Sequence, residues 1–93
     1  MKIVKVEHDF KDREGKTYGG MNKYASKKLG IEWKYGDNAV AVSKSANYKE
    51  TAKHEIIEHY IMKAKPDMTY KDAHALTGTI EKVIELLVVA GLI

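Results

Sequence analysis

Residues 54–74, HEIIEHYIMKAKPDMTYKDAH, contain the end of one helical pattern and the beginning of another. Pro66 stops the first helix, because proline lacks a backbone N–H and clashes with the preceding turn. Thr69, with Asp72 three residues later, is a near match to a capping box, in which side chains satisfy free backbone groups at a helix N-terminus. The short interval between stop and start predicts two long helices packed as an antiparallel hairpin.

The first of these helices is expected to begin at a cap on Ser45 or Asn47 and to end at about Ala64. The second is expected to extend from Tyr70 to about Val89 and to end near Gly91. Its apolar residues recur with a period of 3.6 residues, which indicates one face packed on a core. They are Ala73, Leu76, Ile80, Val83, Ile84 and Leu87.

The first half of the chain predicts a small sheet and a short helix. Residues 2–10 alternate apolar with polar side chains, as a strand does, and residues 11–20 are polar and glycine-rich, as a loop is. Residues 21–29 have helical spacing and precede Gly30, a residue suited to end a helix. Residues 31–43 contain IEWKY and AVAV around the turn formers Gly-Asp-Asn, which predicts a β-hairpin.

These elements predict an α+β fold with one domain over residues 1–93. A small antiparallel sheet, made of the N-terminal strand and the hairpin, would pack with a short helix and two long C-terminal helices.

The chain has no cysteine, which excludes disulfides, thiolate zinc sites and cysteine nucleophiles. No stretch of about 18 apolar residues predicts a membrane span, and the charged start does not resemble a signal peptide. We therefore expect an intracellular, cytoplasmic protein with no membrane partner.

Charge divides unevenly along the chain. Residues 1–53 have 12 Lys and Arg against 7 Asp and Glu, a net charge of +5, whereas residues 54–93 have 4 against 6, a net charge of −2. The basic half can attract an anionic partner such as nucleic acid, or its lysines can simply maintain solubility. Trp33, Tyr35 and Tyr48 are interpreted as a cover for the small core, with stacking on nucleic acid as the alternative.

Four polar side chains occupy one arc of the first long helix. With His54 at 0° on a helical projection, Glu58 lies at about 40°, Glu55 at about 100° and His59 at about 140°. The simplest interpretation is a solvated helix face. The second helix offers another interpretation, because a hairpin can turn His74 toward His54 and Glu58.

His54, Glu58 and His74 together would form a metal site with two imidazoles and one carboxylate. Several catalytic zinc sites have this ligand set and keep a fourth position open for water, so zinc or another divalent transition metal is the expected cofactor. Glu81 shares a face with His74 and is expected to accept a hydrogen bond from it or to serve as an alternative ligand. His59 is likewise expected either to support the ligands through a hydrogen bond or to serve as an alternative ligand. Gly78 costs about 1 kcal/mol inside a helix. A close approach by another backbone, a water or a substrate would explain that cost, and the alternative is a glycine that the helix packing simply tolerates.

The sequence HEIIE resembles the active-site helix of zincin-type metallopeptidases, whose motif is H-E-x-x-H. The resemblance implies that His54 is the first metal ligand and that Glu55 is the general base. This chain departs from the motif at Glu58. A third ligand on the following helix is similar to gluzincin architecture, although His74 here replaces the usual Glu. The resemblance also implies that AVAV is an edge strand that binds the substrate backbone.

The longer pattern, H-E-x-x-E followed by Y-x-x-A-H, resembles small uncharacterised phage and archaeal proteins. The sequence predicts two alternative functions. The first is a zinc-dependent hydrolase that acts on a peptide, protein or other amide substrate, with a purely structural metal as a variant. The second is a non-enzymatic module, including one of viral origin, that binds nucleic acid or protein. The apolar end LLVVAGLI is either the last buried turn of the core or a self-association surface.

Overall fold

A computed structural model describes all 93 residues of the chain. The elements in chain order are β1 (Lys2–Val6), β2 (Phe10–Lys11), β3 (Thr17–Tyr18), β4 (Gly20–Asn22), α1 (Lys23–Leu29), β5 (Ala39–Ser43), α2 (Tyr48–Ala64) and α3 (Tyr70–Val89). The predicted α+β class is confirmed, as are the N-terminal strand, the short helix and the two long C-terminal helices. None of the three helices combines the length and the apolar composition needed to cross a membrane.

The main sheet has three strands in the order β1-β5-β4. β5 lies in the centre and pairs in parallel with β1 and antiparallel with β4, so the sheet is mixed and not purely antiparallel as predicted. The parallel pair arises because residues 7–38 form a long crossover that returns the chain in its original direction. All five residues of β5 are buried, which fits its central position.

The hairpin lies elsewhere than predicted. β2 and β3 pair antiparallel within the segment expected to be a loop, and residues 31–38 form no strand. Ile31, Trp33 and Tyr35 are still half-buried, while the residues between them are exposed. This segment therefore has the predicted alternation but covers the core without a strand partner, and Trp33 Nε1 donates to Gly36 O at 2.6 Å.

Caps define the helices close to where the sequence predicts them. Asn47 accepts a hydrogen bond from Glu50 N at the start of α2, and Thr69 accepts one from Asp72 N at the start of α3. Gly30 ends α1 in the left-handed conformation, with φ of 72°. α2 and α3 pack as the expected antiparallel hairpin, and α2 also covers β4 and β5. This arrangement places α2 between the sheet and α3.

Candidate metal centre

Three side chains of the helix hairpin converge on one point. His54 and Glu58 lie one turn apart on α2, and His74 lies in the second turn of α3. His54 Nε2 is 3.2 Å from Glu58 Oε2 and 3.1 Å from His74 Nδ1. His74 Nδ1 is 3.1 Å from Glu58 Oε2. The structure therefore brings together the three residues that the sequence predicts as metal ligands.

The three atoms form a nearly equilateral triangle with sides of 3.1–3.2 Å. In a tetrahedral zinc site with bonds of about 2.0–2.1 Å, neighbouring ligand atoms lie about 3.3 Å apart. The triangle would widen by only about 0.2 Å to become one face of such a tetrahedron. Two imidazole nitrogens and a carboxylate oxygen are also donor types that zinc accepts.

Burial distinguishes this cluster from a solvated helix face. Glu58 is 0 % exposed and Glu55 is 6 % exposed, whereas His74 is exposed. Buried glutamates are rare unless they are paired or bind a cation. The interpretation of this arc as a solvated surface is therefore wrong for Glu55 and Glu58, because α2 is covered on one side by the sheet and on the other by α3.

Glu81 orients His54 and not His74, in contrast to the sequence expectation. Glu81 Oε1 lies 2.8 Å from His54 Nδ1. A carboxylate at this distance accepts the Nδ1 proton, so that in neutral His54 the Nε2 lone pair is directed at the centre of the triangle. Because Glu81 is two turns along α3 from His74, it faces the part of α2 that holds His54 when the helices run antiparallel.

Asn22 is a site residue that sequence reasoning missed. Its Nδ2 donates to Glu55 Oε1 at 3.0 Å and to Glu58 Oε1 at 3.1 Å, and its side chain is fully buried. The residue is 33 and 36 positions from its two partners in the chain. No local spacing rule connects residues this far apart, so only the packing of β4 against α2 reveals the contact.

The pKa values of His54 and of the neighbouring Glu55 are both raised. Burial, together with the neighbouring Glu58, raises the pKa of Glu55 from 4.5 to about 8. The hydrogen bond that His54 donates to Glu58, with a second that it donates to Glu81, raises the pKa of His54 from 6.5 to about 9. A proton on His54 therefore occupies the triangle at neutral pH in the absence of a cation.

A cleft of about 350 Å³ opens beside the triangle. Its lining residues are Gly19, Gly20, Glu50, Thr51, His54, His74 and Glu81. A Cβ at Gly20 would lie 2.5 Å from Thr51 Cγ2 and 3.0 Å from Glu55 Oε2. The lack of a side chain at Gly20 thus allows β4 to pack directly on α2, with Glu55 Oε2 beside the position that a Gly20 Cβ would occupy.

β4 is the edge strand beside this cleft, whereas AVAV forms the central strand β5 and not the edge strand that the resemblance implied. Ser43 N donates to Gly19 O at 2.8 Å, which identifies residues 19 and 43 as a hydrogen-bonded pair. The next pair, Gly20 with Val42, is then a non-hydrogen-bonded pair. The N–H and C=O groups of Gly20 therefore point away from β5 toward the open edge of the sheet.

Tyr70 is a second residue whose place in the site was not predicted. Its ring stacks on that of His74, with centroids 5.4 Å apart, and its hydroxyl lies 3.3 Å from His74 Nδ1. Burial and the nearby Glu58 raise the pKa of Tyr70, so the hydroxyl keeps its proton. The Y-x-x-A-H spacing contains the signal for this contact, because Tyr70 and His74 are four residues apart on one helix face.

Two other candidate residues lie away from the triangle. The ring of His59 packs against Tyr24 and Tyr60, with centroids 5.0 and 5.1 Å away, and burial lowers the His59 pKa. His59 therefore does not join the ligand cluster. A Cβ at Gly78 would have no atom within 4 Å, so the close approach expected there is absent.

Comparisons with protein families, with curated proteins and with solved structures find no match to this chain. The resemblance to zincins, like that to phage and archaeal proteins, therefore remains a prediction made from the sequence.

Proposed function

We propose that His54, Glu58 and His74 bind one divalent transition metal, with zinc as the expected ion, and that the metal serves hydrolysis. The observation that carries the proposal is the triangle of ligand atoms with sides of 3.1–3.2 Å. It matches one face of a tetrahedral zinc site and leaves the fourth position for water. His54 is already oriented by Glu81, as metal-bound histidines usually are by a carboxylate.

Glu55 is the residue we assign as general base. It follows His54 directly on α2, and its Oε2 lies beside Gly20, a residue that lines the cleft. In the metal-free protein its raised pKa favours the protonated form, which cannot act as a base. The positive charge of a nearby metal ion would lower this pKa and that of a bound water together, so a zinc-bound water could lose a proton to Glu55.

A peptide or other amide is the substrate class that the cleft favours. Gly20 is buried as a residue but lines the cleft, and its N–H and C=O point to the side of β4 that has no strand partner, where they could hydrogen-bond to an extended backbone. No hydrophobic residue lines the cleft, so recognition through backbone groups is favoured over recognition of an apolar side chain. The intracellular location expected from the sequence remains part of the proposal.

Metal content is the first test. Untagged protein is dialysed against trace zinc and examined by elemental mass spectrometry, with one zinc per chain as the expected result. His54→Ala and His74→Ala should each abolish stoichiometric zinc. His8→Ala is the matched control, because His8 is exposed and lies outside the cluster. Zinc retained by both site variants would overturn the proposed ligand set.

Glu55→Gln then separates a catalytic metal from a structural one. Glutamine keeps the size and the hydrogen-bonding oxygen of Glu55 but cannot accept a proton as a base. The expected result is unchanged zinc content with loss of peptide hydrolysis, measured on a fluorogenic peptide mixture. Equal hydrolysis by Glu55→Gln and by the unmodified protein would remove Glu55 from the mechanism.

A structural metal is the second candidate, and the thin packing of α3 favours it. Among the 20 residues of α3, only Ala73 and Thr77 are buried, and both are small. A metal held by His74 and by two residues of α2 would fasten α3 to the rest of the fold. In that case zinc would raise the melting temperature strongly while no peptide or amide substrate would be cleaved.

The nucleic-acid module stays an untested alternative. The basic residues of the first half of the chain supply the charge for it. Binding to DNA or RNA that weakens steeply with salt would support it, and the absence of such binding would exclude that form of the alternative.

A further inference from the structure

Asn22 occupies a junction between the sheet, α1 and the candidate metal centre. It is the last residue of β4 and the N-cap of α1, where its Oδ1 accepts a hydrogen bond from Ala25 N at 2.9 Å. That bond fixes the orientation of the side-chain amide, so Nδ2 must face the other way. There it donates to Glu55 and to Glu58, one oxygen of each.

The two hydrogen bonds divide the carboxylate oxygens into two sets. Glu58 Oε1 is bound to Asn22, while Glu58 Oε2 faces His54 Nε2 and His74 Nδ1. Glu55 Oε1 is also bound to Asn22, while Glu55 Oε2 lies beside Gly20. Each carboxylate thus has one oxygen held by the amide and one oxygen available.

We propose that Asn22 is a positioning residue that restricts Glu58 to coordination through one oxygen and keeps Glu55 off the metal. This inference rests on the proposed metal site. A carboxylate can bind an ion through one or both oxygens, and Glu55 lies three residues from Glu58 on the same helix. The Asn22 amide is the only side chain that hydrogen-bonds to Glu58 Oε1. If that amide were removed, Glu58 Oε1 would have no partner, and Glu55 would be free to turn toward the positive ion.

The proposed role has a chemical consequence for the site. A Glu58 bound through one oxygen leaves the metal with three protein ligands and an open fourth position, as hydrolytic zinc sites require. A Glu58 bound through both oxygens would fill that position. Glu55 as an added ligand would fill it too and would no longer be available as the general base. Asn22 would therefore preserve the open site and the separate function of Glu55.

The test is Asn22→Ser, with Asn47→Ser as the matched control. Serine also caps helices, so both variants keep a cap, but it is too short to donate to Glu55 and Glu58 from position 22. Asn47 caps α2, the helix that holds two of the ligands, and is exposed with no carboxylate partner. Cobalt(II) is the probe, because its visible absorption weakens when a four-coordinate site gains a fifth ligand.

We expect the visible absorption of cobalt-bound Asn22→Ser to be of the weaker five-coordinate type, because Glu58 or Glu55 supplies an added carboxylate oxygen, which loss of a purely structural cap would not produce. Asn47→Ser should match the unmodified protein in its cobalt spectrum. An unchanged spectrum for Asn22→Ser would overturn the role of Asn22 alone. Failure of the unmodified protein to bind cobalt would overturn the metal site as well.

A measurement on the unmodified protein covers the case in which Asn22→Ser does not fold. The chain has three Asn and no Gln, so its ¹⁵N NMR spectrum contains only three side-chain NH₂ pairs. Adding zinc should shift the pair of Asn22 and leave the pairs of Asn38 and Asn47 in place. Movement of all three pairs, or of none, would contradict the inference.

Discussion

Replacing Gly20 with alanine is expected to lower the free energy of unfolding by about 1–3 kcal/mol, the usual cost of overpacking an interior. The added Cβ would lie 2.5 Å from Thr51 Cγ2 and 2.8 Å from Glu55 Cγ. Carbon atoms in favourable contact are about 3.5–4.0 Å apart, so β4 and α2 would have to separate by about 1 Å at this point. Both elements are held on other sides, β4 by β5 and α2 by α3, so the strain cannot relax freely.

Gly78→Ala is the matched control, because it adds the same methyl group to a glycine with no atom within 4 Å of the new Cβ. Gly78 lies inside α3, where alanine is favoured over glycine by about 0.8–1.0 kcal/mol, so this variant should be more stable than the unmodified protein. Urea denaturation with EDTA present measures both changes without a metal contribution. A Gly20→Ala protein of unchanged stability would refute the close contact between β4 and α2.

A second change identifies the atoms responsible. Thr51→Ser removes Cγ2 and keeps the hydroxyl, so it relieves the shorter of the two contacts created by Gly20→Ala. The double variant should recover part of the lost stability, because the contact with Glu55 Cγ at 2.8 Å remains. Losses in Gly20→Ala and Thr51→Ser that simply add in the double variant would place the strain elsewhere.

Three further outcomes follow from the site and from α3. With EDTA present, these two groups should lower the stability as the pH rises from about 4.5 to 9, because folding raises the pKa of His54 from 6.5 to about 9 and that of Glu55 from 4.5 to about 8. Each group binds its proton more tightly in the folded protein, so its contribution is lost as the pH rises through the folded pKa. Glu81→Ala should weaken zinc binding about 10–100-fold in a chelator competition, since it releases His54 Nδ1. Leu86→Lys should reduce any self-association in sedimentation velocity, because Leu86 is 68 % exposed on the apolar surface of α3.

Each of these outcomes has its own control. His54→Gln should make the pH dependence between about 6.5 and 9 shallower, because it removes the contribution of His54 and leaves that of Glu55, and stability that rises with pH would contradict the assigned pKa directions. Glu85→Ala, one turn beyond Glu81 on α3, should leave zinc affinity unchanged, since Glu85 makes no hydrogen bond to the cluster. Identical sedimentation of the Leu86→Lys variant and the unmodified protein at high concentration would remove α3 as a contact surface.

The helices could be predicted because their signals are local. Asn47, Pro66 and the pair Thr69 with Asp72 act on neighbouring backbone groups, and the structure places the helix ends beside them. Strand pairing depends on residues that are far apart in the chain. Residues 31–35 have the alternation of a strand, but β5 already pairs on both edges with β1 and β4, so no edge of β5 remains for them.

The end of the chain illustrates the same limit. Periodicity predicts an apolar face on α3. It leaves two interpretations of LLVVAGLI, a last buried turn of the core or a self-association surface. The structure leaves Leu86, Val89, Leu92 and Ile93 exposed, between 68 and 82 % for each, so this segment is not a buried turn of the core. The sequence pattern could not distinguish these readings, because an apolar stripe looks the same whether it faces the core of its own chain or another surface.

The ligand triangle was within reach of sequence reasoning, whereas the groups that orient it were not. His54 and Glu58 are one turn apart, and the position of the turn after Ala64 determines which part of α3 faces them. The pairing of Glu81 with His54 requires the axial register of the two helices. The contact from Asn22 requires the packing of β4 on α2, which depends in turn on Gly20.

The burial of Glu55 and Glu58 is the strongest reason to treat the cluster as more than a structural feature. Both carboxyl groups are removed from water, and in the metal-free protein they depend on protons: the raised pKa of Glu55 favours its protonated form, and Glu58 is paired with the protonated His54. Asn22 is the one side-chain NH₂ group that donates to both. A small domain gains no stability from two such groups where apolar side chains could pack. The arrangement becomes favourable if a cation completes it, because the ion would neutralise Glu58 and displace the proton of His54. Two buried acidic groups that depend on protons in the metal-free protein therefore support the proposed binding of a positive ion at this site.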